Sequence, residues 1–325
     1  MKKNFSMKTL TIALSLIMVA GLFAGCGASK ATTATQKKRI KIGVDVYYMS
    51  EFITLMKEGV VSEAKAQGAD IVFLDANNDI NTQISQVQNL ITQKCDVLLI
   101  ASVDPNGIAP AVAAAKKANI PVVGVNMIIN SKDTTAYVGP NDVQAGEEEM
   151  QAAIDKIGGK GNIVILQGPI GISAQIQRDE GNHNILKKYP NVKLLSEQTA
   201  NWNRNEALKL TENWLQSNPG KINAIVAHND EMALGAIAAL KEKGLLSKVV
   251  VTGIDAINDG CKAVKNGELT ATVYQNANFE GSEGVKAAIL AAKHETIAKK
   301  NNLIDMKVIN KANVDDLLST IYKAK

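Results

Sequence analysis

The chain has 325 residues, 46% hydrophobic, 21% charged and only 4% aromatic, a globular composition with room for about two domains that excludes a disordered or fibrous protein. The formal charge of +4 is concentrated at one end, because seven of the 36 Lys and Arg lie in residues 1–39, where there is no Asp or Glu. The remainder is slightly acidic, and so lacks the basic face that a nucleic-acid partner requires.

In chain order, a basic start at Lys2, Lys3 and Lys8 is followed by an apolar run from Leu10 to Ala20 and then by Leu22-Phe23-Ala24-Gly25-Cys26. Small residues follow the run and no charge cluster stops it, so the pattern predicts a secretory signal rather than a membrane span. The segment Phe23-Ala24-Gly25-Cys26 resembles the lipobox of bacterial lipoproteins. That resemblance implies a signal over 1–26 and a lipid on the thiol of Cys26, which would place the protein on the outer face of the cell membrane or in the periplasm. Residues 27–39 lack apolar periodicity and predict a solvated tether. Cys95 and Cys261 stand far apart in apolar elements, which predicts two buried free thiols rather than a bridge.

From residue 40 onward, short β-branched runs predict strands at 40–46, 71–75, 96–101, 121–126, 135–139, 162–167, 193–199, 223–228, 249–255, 270–275 and 306–310. Most are continuous apolar runs, the pattern of a parallel sheet covered on both faces. Helical stretches separate them. Over 230–243, Asn229 or Asp230 serves as N-cap, Met232, Ala236, Ile237 and Leu240 share one face, and Gly244 ends the helix. The alternation predicts a doubly wound α/β fold, with too many strands for one ordinary sheet and hence two lobes.

Motifs for catalysis are missing from the sequence. After the first strand comes YYMSEF, with neither GxGxxG nor a P-loop, and there is no GxSxG elbow. His183, His228 and His294 are scattered without metal-ligand spacing, so neither an enzyme nor a metal centre is expected.

Four segments resemble the sugar-binding proteins of bacterial ABC importers, the group that includes the ribose-type and galactose-type binding proteins. They are Ala224–Leu240 (AIVAHNDEMALGAIAAL), Val251–Val273 (VTGIDAINDGCKAVKNGELTATV), Asn119–Val122 and Tyr137-Val138-Gly139. The resemblance spans 40–325. It implies the periplasmic binding protein type 1 fold: two doubly wound parallel-sheet lobes joined by a three-crossing hinge. The N-terminal lobe would take 40–140 and 276–305, the C-terminal lobe 141–275 and 306–325, with solute held between the carboxyl ends of the strands.

By the same resemblance, Arg178, Asn229, Asp255 and Gln275 are the polar ligand-binding residues, with Trp202 and Phe52 the aromatic plates. The chemistry suits a sugar, whose hydroxyls donate and accept and whose C–H faces stack on rings. Arg178 supplies a rigid fork of donors, Asp255 two acceptor oxygens, and the amides both kinds of group. Arg178 and Asp255 are the charged residues placed in the cleft, one of each sign, which favours an uncharged ring of monosaccharide size. The first lobe departs from the pattern: Asn126-Met127 replaces an Asp-Arg pair of the ribose type, Ala101 replaces Asn, and Ser50 replaces a polar residue before Phe52. Asn126 is retained as a site residue, while Tyr47, Tyr48 or Asp45 could supply the missing polar contacts. The lost Arg tilts the expected ligand from ribose toward a hexose or cyclitol. No calcium loop is present, so no metal or cofactor is expected.

The expected function is capture of a monosaccharide or polyol by a monomeric lipoprotein and its delivery to an ABC permease, with no nucleic-acid partner. An alternative is a sensor that docks on a chemoreceptor or histidine kinase. A LacI-type regulator shares the fold but carries a DNA-binding motif where this chain has a signal and tether.

Overall fold

A computed structural model describes residues 38–322. The signal, Cys26 and nearly all of the tether lie outside the described residues. The chain opens with β1 (Lys41–Val46), α1 (Glu51–Gln67), β2 (Asp70–Asp75), α2 (Ile80–Thr92), β3 (Val97–Ile100), α3 (Ala109–Lys117), β4 (Val122–Val125) and β5 (Ala136–Pro140). It continues through α4 (Asp142–Lys156), β6 (Gly161–Gln167), α5 (Ser173–Leu186), β7 (Val192–Thr199), α6 (Arg204–Ser217), β8 (Ala224–Ala227), α7 (Asp230–Glu242), β9 (Val250–Asp255), α8 (Asn258–Asn266) and β10 (Ala271–Tyr274). The last elements are α9 (Ala277–Ala292), β11 (Asn301–Ile304), β12 (Lys307–Asn310) and α10 (Val314–Thr320).

These strands form two six-stranded sheets, ordered β11-β5-β4-β3-β1-β2 and β12-β10-β9-β8-β6-β7. The chain passes between sheets after β5, after β10 and after β11. Among the described residues every strand pair is parallel except β10–β12. The fold is therefore two α/β lobes of the doubly wound kind. Strand interiors such as Val97–Ile100 and Ala224–Ala227 are buried throughout, because helices cover both faces of each sheet. Cys95 and Cys261 are buried free thiols, as their apolar settings predicted.

The sequence reading missed β11. Its segment Asn301-Asn302-Leu303-Ile304 is half polar and lies at a sheet edge beside β5, so only Ile304 is buried and the apolar signal is weak. Among the described residues no helix is long and apolar enough to cross a membrane.

Candidate functional site

The carboxyl ends of both sheets face one cavity, lined by Tyr47, Tyr48, Ser50, Phe52, Asn126, Met127, Arg178, Trp202, Asn229, Asp255 and Gln275. All seven residues singled out from the sequence are among them, none more than 7% exposed. Of the three residues left open, Tyr47 and Tyr48 line the cavity. Asp45 does not: alternation along β1 sends it to the opposite face from Val44 and Val46, which join the main core cluster.

Local geometry explains the placement. Ser50 caps α1, its Oγ accepting from the Ile53 amide at 3.2 Å, which sets Phe52 in the first turn at the cavity wall. Asn229 caps α7 and accepts from the Met232 amide at 3.0 Å, so its Oδ1 is engaged while Nδ2 remains for the cavity. Three of the seven residues have positive φ: Asn126 at 61°, Trp202 at 58° and Asp255 at 116°. Non-glycine side chains pay strain for that conformation, and such strain collects at sites where side-chain aim matters. Trp202 also needs Gly168, where a methyl group would overlap the indole.

Arg178 is the electrostatic centre. Its Nε donates to Asp142 Oδ1 at 2.8 Å, Nη1 to the His228 carbonyl, and Nη2 to Gln275 Oε1 at 2.9 Å, while its guanidinium carbon sits 5.5 Å from the centre of the Trp202 ring. A guanidinium has five N–H groups, so two remain, one on each terminal nitrogen. Burial pushes the Asp255 carboxyl well above its usual range, against the pull of Arg178. Among the described residues no protein group donates to that carboxyl, and its oxygens are available to a solute.

Arg178 and Asp255 are the charged residues that line the cavity, and two further acids stand behind it. Asp142 is paired with Arg178 through Oδ1, and Glu280 lies behind Gln275 and Asn126, accepting from Gln275 Nε2 at 2.9 Å and Asn126 Nδ2 at 3.0 Å. Both carboxyls are raised by burial, Glu280 to about 8, with Arg178 acting against the rise. The only sequence signal for either was an acid near a helix start, which reads equally as a favourable dipole contact. His228, 0% exposed, stands 3.2 Å from Asp179 and serves the site through its carbonyl.

The lobes also touch directly. The Ile128 amide of the first donates to Ser173 Oγ of the second at 2.9 Å, and that hydroxyl lies 3.6 Å from Met127 Sδ. Among the described residues no cluster of His, Cys, Asp or Glu could hold a metal ion.

A two-lobed α/β molecule with donors, acceptors and rings converging between its sheets is a solute-binding module. The family described as periplasmic binding protein domain matches residues 42–296, and the chain belongs to it, a family of binding proteins rather than enzymes. It is 44% identical to the xylitol-binding protein of Mycolicibacterium smegmatis over 96% of this chain and 88% of that one. It is 34% identical to the ribose import binding protein of Bacillus subtilis, covering 89% of this chain and 92% of that one. Among solved structures, an ABC transporter solute-binding protein from Bacillus halodurans with bound myo-inositol superposes with a TM-score of 0.83 at 35% identity, covering 86% and 98% of the two chains.

Proposed function

We propose that the protein is an extracytoplasmic lipoprotein, anchored through Cys26, that captures a neutral monosaccharide or polyol between its lobes and delivers it to an ABC permease. The observation that carries this reading is the balance of groups left over in the cavity. Arg178 keeps two N–H groups and Asn229 its Nδ2, while Asp255 keeps a carboxyl and Asn126 its Oδ1, so donors face acceptors across the space a polyhydroxylated solute would fill. Phe52 and Trp202 supply apolar faces.

One base among Asp142, Asp255 and Glu280 leaves no surplus positive charge for a phosphate or carboxylate, and burying an unpaired anion costs several kcal/mol. Xylitol and myo-inositol, the solutes of two of the similar proteins, both fit this chemistry. The lobes, taken as 40–140 with 276–305 and 141–275 with 306–325, would close on the solute as bodies.

A thermal-shift and calorimetric panel of pentoses, hexoses, acyclic polyols, inositols, sugar phosphates and amino acids tests the reading. A neutral polyol or sugar is expected to raise the melting midpoint most. Tighter binding of a phosphate or amino acid than of every neutral compound would overturn it. For the anchor, fatty-acid labelling should be lost in Cys26→Ser, and an unlabelled wild type would refute lipidation.

A further inference from the structure

The orientation of one amide follows from its neighbours. Arg178 can only donate, so the Gln275 atom 2.9 Å from its Nη2 is the oxygen, and Gln275 Nε2 must face Glu280 Oε1 at 2.9 Å. The remaining Glu280 oxygen lies 3.0 Å from Asn126 Nδ2, and as a carboxylate it can only accept. That leaves Asn126 Oδ1 buried and without a protein partner, on a residue that lines the cavity. Asn126 cannot turn away as a whole, because its carbonyl accepts from the Tyr137 hydroxyl at 2.9 Å and its φ is 61°. Only its amide can flip.

We propose that Glu280 sets the hydrogen-bond polarity of the cleft: it holds Asn126 with Nδ2 toward itself and Oδ1 toward the solute, so that the solute must supply a hydroxyl hydrogen at that point. The proposal rests on the reading of the cleft as a polyol site and names one feature that its solute must carry. It also accounts for the departure at Asn126. An aspartate there would be an acceptor unaided, whereas an asparagine becomes one only when something takes up its NH2. Glu280 is a positioning residue, acting through Asn126.

Protonation of Glu280 would reverse the arrangement, since Oε1 is engaged by Gln275 and the proton would sit on Oε2, donating to Asn126 Oδ1 and turning Nδ2 to the solute. Burial brings this carboxyl to about 8, with Gln275, Asn126 and Arg178 lowering it and Asp142 raising it. The other ionisable groups that act on it are Tyr47 just after β1, Tyr137 on β5, Asp255 on β9 and Tyr274 on β10. The acceptor polarity therefore belongs to the high-pH side of Glu280's titration.

The test is calorimetry of wild type and Glu280→Gln at pH about 9 and about 6, with xylitol, myo-inositol and their monodeoxyfluoro analogues, in which fluorine can accept but not donate. At one position of the solute, wild type at high pH should bind the fluoro analogue about tenfold or more weakly than the parent. That penalty should fall away at low pH and at both pH values in Glu280→Gln, whose amide donates to Asn126, while penalties at other positions persist. Adding Asn126→Asp to Glu280→Gln should restore it. Fluoro penalties in Glu280→Gln that match wild type at every position and both pH values would overturn the proposal. A second measurement needs neither variant nor solute: the side-chain amide signals of Asn126 in the ligand-free wild type should titrate with the Glu280 carboxyl. If neither polyol binds wild type, these signals still decide the orientation whatever the solute; their indifference to the Glu280 titration would overturn the proposal.

Discussion

Arg178 acts as a distributor of charge: three of its five N–H groups are tied to Asp142, His228 and Gln275, and the other two are presented at fixed angles. A lysine retains the charge but loses the planar fork. Arg178→Lys should therefore fold and still weaken solute binding by about ten- to a hundredfold, measured by calorimetry with a confirmed ligand, since hydrogen bonds to charged groups contribute about 1.5–3 kcal/mol. Wild-type affinity in that variant would show that the fork is not used. Buried acids make a second prediction at this scale. Asp45 is raised by burial to about 7, and Asp230 and Glu280 to about 8, so the folded state binds more protons than the unfolded one between pH about 4 and about 8. Their contribution to stability is present at the acid end of that window and is lost as pH rises through it. The melting midpoint of the ligand-free protein should accordingly fall from pH about 5 to about 8; a rise over that interval would contradict the assignment.

Helix pairs in each lobe meet through glycines. In the first lobe, a methyl on Gly59 would overlap the Asn278 carbonyl and one on Gly281 the Met56 carbonyl, binding α1 to α9. In the second, Gly146 abuts the carbonyl of Arg178 and Gly181 that of Val143, so α4 and α5 touch backbone to backbone. The second contact is what lets Asp142, one turn before Gly146, reach the guanidinium. Gly146→Val should cost about 1–3 kcal/mol of stability by overpacking and reduce solute affinity by separating Asp142 from Arg178. Unfolding midpoints and calorimetry check it, and unchanged affinity would mean that the helices part without moving the pair.

Much of this was legible beforehand: short β-branched runs marked eleven of the strands, and the family resemblance supplied the seven chosen residues, of which Phe52, Asn126, Asn229, Asp255 and Gln275 sit at a strand end or helix start. The acids behind the site were not. Asp142 and Glu280 look like any helix-start acid until the Arg178 and Gln275 side chains of distant segments are brought beside them. Asp45 was overestimated for a related reason: the cavity lies beyond the end of β1, where Tyr47 and Tyr48 reach it, and the run gives no sign of where the strand stops.

At the scale of the molecule, three crossings connect two sheets whose strand ends oppose each other, the arrangement in which lobes pivot with little change inside either. A solute touching both sides favours the shut arrangement, and small-angle scattering should record a smaller radius of gyration at saturation. No change there would point to a rigid module.

The contact between Ile128 and Ser173 joins the lobes without involving any solute. A bond of that kind works as a gain control: it alters how often an empty molecule is already shut, and so scales affinity for every compound by one common factor. Ser173→Ala should weaken all bound solutes alike, by about fivefold for a bond of about 1 kcal/mol, and leave their rank order intact. A reshuffled order would mean that Ser173 discriminates among solutes. If the order holds, how tightly the protein binds and what it binds are set by separate residues, and evolution or design can adjust the first without disturbing the second.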